Sequence, residues 1–214
     1  MRWLEERFPE DDRKDTDDNR ADFTTVDTNG TLTGNGQRVG IPGPRGTTSP
    51  VRRAQILVSD IPATPSSVRD NRSTDWNVPG GGVVNWPSGV LSLPRRFTNN
   101  TAQAVTRLRV RIVSMTTFPE NSPDWDLRPI DATGTVTDST GTVIVSGLRP
   151  MLLELPQQQF NGGGINSTLT LDVSVLPGGS LANGASVDVH LRVGVAQEGT
   201  TNPFILSYIV EALP

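Results

Sequence analysis

The stretch "AVTRLRVRIV", residues 104–113, places an arginine at every second position over residues 107–111, with apolar residues between. Because the side chains of a β-strand point alternately to the two faces of its sheet, this period of two predicts a strand with one apolar and one basic face. The predicted core side chains are Leu108, Val110 and Ile112. The opposite side, here called the basic face, carries Arg107, Arg109 and Arg111.

The sequence leaves two interpretations of the basic face open. In the first, the arginines lie on a solvated sheet face and pair with acidic side chains across the sheet, such as Asp172 or Asp188. In the second, they bind an acidic segment, either the chain's own N-terminal arm or that of a neighbouring copy. Nucleic acid is not expected as a partner, because the chain has a net charge of −4 and nucleic-acid-binding proteins normally carry a strong basic excess.

Strand-like segments with the same period recur along residues 51–214, bounded by Gly, Pro, Asn or Asp. In residues 165–175 and 187–195, apolar and polar residues alternate. A parallel sheet covered on both faces would be continuously apolar, so this alternation predicts antiparallel strands with one solvated face. We therefore predict an all-β fold, an antiparallel β-sandwich of Ig-like or jelly-roll type, formed by residues 51–214.

Residues 1–50 have a different composition and predict an extended N-terminal arm. Residues 1–22 contain nine acidic and five basic side chains, so they account for the whole net charge of −4. Residues 23–50 are rich in Thr, Gly and Pro, and such a segment has too little apolar mass to fold alone. Short strand-like pieces in it indicate pairing with another sheet. The candidate assembly residues of the arm are Phe23, Val26, Leu32, Val39 and Ile41.

Composition excludes several kinds of site. The chain has no cysteine and one histidine, which excludes disulfides, thiolate metal sites and the common zinc sites. No segment approaches the roughly 18 apolar residues of a membrane span. The start, "MRWLEERFPEDDRKD", lacks the apolar region of a signal peptide. Three alternatives remain: the protein acts where it is made, is exported by another route, or is processed from a longer precursor.

The sequence predicts no enzymatic activity. His190 is the only imidazole, and the alternation places it on the polar face of its strand, where we expect a surface histidine with Asp188 and Arg192 as neighbours. No G-x-S-x-G nucleophile motif, phosphate-binding loop or dinucleotide fingerprint is present in the sequence. No cofactor is therefore predicted apart from a candidate calcium ion.

The candidate calcium site is the loop "PENSPDWDLRPID", residues 119–131. Calcium prefers several oxygen ligands that converge on one point, and this loop is rich in carboxylates. The spacing matches no calcium-binding motif. The candidate ligands are Glu120, Asp124, Asp126 and Asp131.

Three tryptophans, Trp76, Trp86 and Trp125, fall in predicted loops. Exposed indole rings are the usual platforms for sugar rings, which makes glycan a candidate partner. The competing interpretation is that these rings close the ends of the sandwich, where the core needs apolar bulk.

Two segments, "RRFTNNTAQAVTRLRVRIVSMTTFP" (95–119) and "LPGGSLANGASVDVHLRVGV" (176–195), resemble Ig-like β-sandwich modules of large secreted or cell-surface bacterial proteins. The second is similar to the late hairpin of such modules, in which a Leu-Ala-x-Gly-x-Ser turn precedes an alternating strand. The resemblance covers about residues 50–214. It implies structural or adhesive work at an extracellular or cell-surface location, with no catalytic residues.

Together these observations predict a non-enzymatic structural subunit of a homopolymeric assembly, such as an extracellular filament, a surface layer or a virion. Its partners are then other copies of itself, because an extended arm complements the unpaired backbone groups at the edge of a neighbouring sheet. The alternative is a carbohydrate-binding or adhesive surface module that acts as a monomer.

Overall fold

The computed structural model describes residues 56–72, 74–77, 83–86, 88–115, 126–154, 163–164, 167–173, 176, 178–196 and 206–213. The predicted arm, residues 1–50, lies outside these residues, and so do all five of its candidate assembly residues: Phe23, Val26, Leu32, Val39 and Ile41. Two of the four candidate calcium ligands, Glu120 and Asp124, also lie outside them, as does Trp125.

The described part of the chain forms fourteen β-strands and contains no α-helix, which confirms the predicted all-β class. The strands are β1 (Ile56–Ser59), β2 (Val68–Asp70), β3 (Thr74–Asn77), β4 (Val83–Trp86), β5 (Val90–Asn99), β6 (Arg107–Met115), β7 (Asp126–Ile130), β8 (Thr135–Thr137), β9 (Val143–Ser146), β10 (Arg149–Pro150), β11 (Leu152–Leu153), β12 (Thr168–Asp172), β13 (Ser186–Ala196) and β14 (Leu206–Leu213).

The larger sheet has six strands and is built around β13. β13 pairs antiparallel with β5, from Ser186 opposite Thr98 to Gly194 opposite Val90. On the other side of β5 lie β1 at one end and β2 at the other, both antiparallel. On the far side of β13, β7 pairs antiparallel and the short β10 pairs parallel. The sheet is therefore mostly antiparallel, as predicted.

The second sheet has four strands in the order β11-β12-β6-β14. β6 lies in the middle of this sheet and pairs antiparallel with both neighbours. Two hairpins, β3–β4 and β8–β9, form small two-stranded sheets of their own. The chain reverses between β8 and β9 at Gly141, whose φ of +85° lies in the left-handed region that glycine adopts without steric cost.

The two larger sheets face each other across one hydrophobic core. Leu108, Val110 and Ile112 of β6 are fully buried in it, as the alternation predicts. Side chains of this kind each contribute roughly 1.5–3 kcal/mol when removed from water. The six-stranded sheet supplies the apolar face of β13, which consists of Val187, Val189, Leu191, Val193 and Val195. This arrangement is the antiparallel β-sandwich expected from the sequence.

The outer face of the six-stranded sheet is covered at His190 and Gly194 of β13, whereas the sequence predicts a solvated face along residues 187–195. Trp86, at the end of β4, lies over Gly194 of β13 and is 3% exposed. A second apolar cluster combines Val68 of β2, Val136 of β8 and Leu148. The prediction is wrong here because two hairpins fold onto this face, and alternation along one strand does not report what another segment places over it.

The contact between Trp86 and Gly194 yields a test of this covering layer. A methyl group at position 194 would overlap the indole ring, so we expect Gly194→Ala to lower the free energy of unfolding by about 1–3 kcal/mol, as overpacking does. Urea unfolding monitored by tryptophan fluorescence and circular dichroism measures this loss. In a double-mutant cycle with Trp86→Ala, the cost of Gly194→Ala should largely disappear. Additive costs would show that the ring does not lie on this glycine.

Candidate functional site

The basic face lies on the outer side of the four-stranded sheet. The pairing register sets its three arginines opposite Asp172, Thr170 and Thr168 of β12. On the other side, the register sets them opposite Leu213, Glu211 and Ile209 of β14. The sheet therefore brings acidic positions from two distant strands next to a row of arginines. Asp172 lies opposite Arg107, in the position expected for a cross-strand partner.

Glu154, directly after β11, binds two of the arginines. It forms an ion pair with Arg107, and its Oε2 lies 2.6 Å from Nε of Arg109. The Thr168 hydroxyl also donates a hydrogen bond of 2.6 Å to Oε2. Because the glutamate is held by three side chains, it closes one end of an ionic network over the sheet.

Glu211 of β14 binds the third arginine. Nε of Arg111 lies 3.1 Å from Oε1 of Glu211, and both side chains are almost fully buried, with exposed fractions of 6% and 3%. Arg109 connects the two glutamates, because its Nη1 lies 3.9 Å from Oε2 of Glu211. The network thus runs from Glu154 through Arg109 to Glu211.

The basic face is solvated only at one end. The Arg107 side chain is 45% exposed, whereas Arg111 is buried, so the expectation of a uniformly solvated face is wrong at Arg111. The acidic partners that bind the arginines are Glu154 and Glu211. Asp188, the other expected partner, instead pairs with Arg96 on the larger sheet, with Nε to Oδ1 at 2.7 Å.

These ion pairs bear on what the basic face can bind. Three arginines and two glutamates already neutralise most of the charge, and Asp172 adds an acidic position in register with Arg107. Little net positive charge is left to attract an acidic segment or a phosphate backbone. The geometry therefore favours a structural role for the arginines over docking of an acidic arm.

His190 is buried, which contradicts the expected surface histidine. It is 1% exposed, and its Nδ1 lies 2.6 Å from the carbonyl oxygen of Thr133. Since a carbonyl only accepts, Nδ1 carries the proton and Nε2 is left as an acceptor. Nε2 is buried without a hydrogen-bond partner among the described residues. Burial lowers the pKa of His190 from 6.5 to about 4, and the Arg192 guanidinium contributes in the same direction.

The described residues do not bring the candidate calcium ligands together. Asp131 is engaged in the fold, since its Oδ1 accepts a hydrogen bond of 2.7 Å from the backbone N–H of Leu153. Asp126 lies in β7, five residues before it. Within the described ranges, no group of three or more His, Cys, Asp or Glu residues is placed to hold a metal ion.

The candidate sugar platform is not supported at Trp86. Its ring is buried against Gly194, where a sugar has no access to it. Both Trp76 and Trp86 lie in strands, β3 and β4, rather than in the predicted loops. Trp86 instead supplies apolar bulk to the fold, as the competing interpretation expects.

A polar cluster that the sequence analysis did not identify lies at Asp70, at the end of β2. Arg72 donates two hydrogen bonds to the two carboxylate oxygens of Asp70, at 2.9 and 2.6 Å. These bonds, and the nearby Arg192, lower the pKa of Asp70. The spacing of two residues in "DNR" is a weak signal, because Asp70 becomes buried only when β2 joins the sheet, while Arg72 stays half exposed.

Comparisons with known proteins give no match to this chain among family models, curated proteins or solved structures. Among the described residues, no helix has the length and apolar character that crossing a membrane requires. The function is therefore inferred from the contacts and burial of the described residues.

The burial difference between two ion pairs gives a matched test of the network. We expect Glu211→Gln to lower the free energy of unfolding by about 3–5 kcal/mol, because it removes the negative charge that Glu211 places beside the buried Arg111. The control is Asp188→Asn, which breaks the half-exposed pair with Arg96 and should cost about 1 kcal/mol or less. Urea unfolding at neutral pH measures both. Equal costs would contradict a buried network.

The lowered pKa of His190 predicts a dependence of stability on pH. Between about pH 6.5 and pH 4 the unfolded chain binds a proton that the folded chain does not, so the free energy of unfolding falls as the pH falls. The shift of His190 from 6.5 to about 4 corresponds to about 3 kcal/mol over the whole window. Urea unfolding near pH 7, 5.5 and 4.5 measures it. His190→Gln should lose less stability across this range, and parallel curves would refute the assignment.

Proposed function

We propose that the protein is a non-enzymatic structural subunit of a homopolymeric assembly, in which the N-terminal arm of one copy pairs with a sheet of the next. The observation that carries the proposal is the position of β1. This strand lies at the edge of the six-stranded sheet, where β5 is its one pairing partner among the described strands. The arm ends five residues before β1, so the chain enters the described body at a sheet edge.

An edge strand presents unpaired backbone N–H and C=O groups, and an extended segment satisfies them by adding a strand. Residues 23–33, "FTTVDTNGTLT", have the threonine and β-branched content that such pairing favours. A segment too polar to fold alone gains order when it pairs in this way. The arm and the edge therefore complement each other physically.

The contacts of the buried ionisable side chains also support a structural role. Arg128, His190 and the Arg111–Glu211 pair are ionisable groups that are buried inside the fold and bound to other parts of it. Their contacts hold strands together across long sequence distances. The resemblance to modules of bacterial surface proteins is consistent with an extracellular, cell-surface or virion assembly.

Removing the arm tests the proposal. We expect the full chain to polymerise and a chain lacking residues 1–50 to be a monomer with an unchanged unfolding transition, because the described core residues all lie between Ile56 and Ala212. Light scattering and electron microscopy report the assembled state. A variant without the arm that still polymerises would refute the proposal, and a full chain that is a glycan-binding monomer would favour the adhesive-module alternative.

A point substitution in the full chain provides a matched control. Val26→Pro removes one backbone donor from the β-prone part of the arm and should weaken assembly. Thr16→Pro makes the same change in the acidic part and should leave assembly intact. Equal effects of the two prolines would show that residues 23–33 are not the pairing segment.

A further inference from the structure

The edges of the described sheets differ in how well they are protected against an added strand. β14 is long, but its register with β6 is broken between Ser207 and Tyr208. It also carries the charged Glu211 near its middle. β9 is interrupted too, since its register with β8 shifts and leaves Ile144 as an extra residue. Bulges and charges of this kind are devices that discourage strand addition.

The remaining short strands at the edges are protected in other ways. β7 contains the buried Pro129 and β10 contains Pro150, and proline cannot donate to a new ladder. β11 has two residues. β2 has three, of which Arg69 and Asp70 are charged. None of these strands offers an extended run of unbroken, uncharged backbone.

Among the described edge strands of the two larger sheets, β1 is the unprotected one. Its four residues, "ILVS", contain no proline and no charge, and they pair with β5 in continuous register from Asn99 to Arg96. Leu57 in its middle is 55% exposed, although it is a large apolar residue in a strand. An uncharged strand with an exposed apolar side chain and a free edge favours the addition of another strand.

We infer that β1 is the acceptor edge of the assembly, and that residues 23–33 of a second copy pair with it, with Val26 next to Leu57. This inference rests on the proposed function and names the surface that performs it. A strand over residues 24–27, "TTVD", has one apolar side chain between polar ones. When this strand pairs with β1, its one apolar side chain, Val26, lies beside Leu57, the large apolar side chain that β1 exposes.

The length of the arm allows this contact between copies. Residues 34–55 connect the pairing segment to β1, and 22 residues span up to about 75 Å when extended. A body of this size has a radius of gyration of about 15 Å. The connection can therefore reach a neighbouring body.

Two matched lysine substitutions test the acceptor edge. Leu57 on β1 and Val143 on β9 have almost equal exposure, 55% and 56%. We expect Leu57→Lys to raise the concentration needed for half-assembly by about tenfold or more, because a charge protects a free edge. Val143→Lys should leave that concentration unchanged. Light scattering over a concentration series measures both, with unfolding curves to show that each variant is folded. Equal effects of the two lysines would overturn the inference.

Because the chain has no cysteine, a disulfide can form only between introduced thiols. We expect a mixture of Val26→Cys and Leu57→Cys chains to form a mixed disulfide dimer under mild oxidation. The control mixture of Val26→Cys with Val143→Cys should not form one. A double variant, Val26→Cys with Leu57→Cys, that closes only within single chains would show that the arm pairs with its own β1, which overturns the inference.

The outcomes separate this inference from the proposed function. If deletion of residues 1–50 abolishes assembly while Leu57→Lys leaves it intact, the arm acts on another edge and only the choice of β1 is wrong. If the deletion leaves assembly intact, the proposed function itself is wrong. A full chain that is monomeric overturns both.

Discussion

The packing of β13 is the constraint on which the rest of this structure depends. Its valines and leucine fill the core between the two large sheets, and hairpins cover its polar side at His190 and Gly194, whereas Asp188 stays partly exposed. β5 and β7 pair along it, so its register fixes the positions of both. The absence of a side chain at Gly194 lets Trp86 lie directly on the strand. A small fold without disulfides thereby gains two apolar layers from one central strand.

The ionic network on the four-stranded sheet follows from the pairing register of its strands. Register alone brings Arg109 and Arg111 of β6 next to Glu211 of β14, which is separated from Arg111 by 100 residues of sequence. Glu154, the residue directly after β11, binds the arginines at the other end of the row. Buried charges are tolerated only when they are paired, so these contacts tie both edges of the four-stranded sheet to its centre. The arginines stabilise the sheet from within rather than presenting a bare basic surface.

The proposed assembly connects these features to function. Most edge strands of the described fold contain a break, a charge or a proline, whereas β1 contains none of them. The chain that precedes β1 is too polar to build a core and long enough to reach another copy. In the proposed assembly, the arm of one copy pairs with β1 of the next, which is a heterologous contact of the kind that generates chains or rings of subunits.

Local periodicity was sufficient to predict the class of fold, a strand within residues 104–115 and the faces that residues 107–112 occupy, because side-chain direction in a strand depends only on position along the backbone. Composition likewise predicts an arm that ends near residue 50, and those residues lie outside the described part of the chain. Segments far away in sequence determined which acidic residues bind the arginines. They also determined that His190 and Trp86 are buried. Those outcomes were decided by how sheets and hairpins stack in three dimensions, and alternation along a single strand contains no information about what covers its outer face.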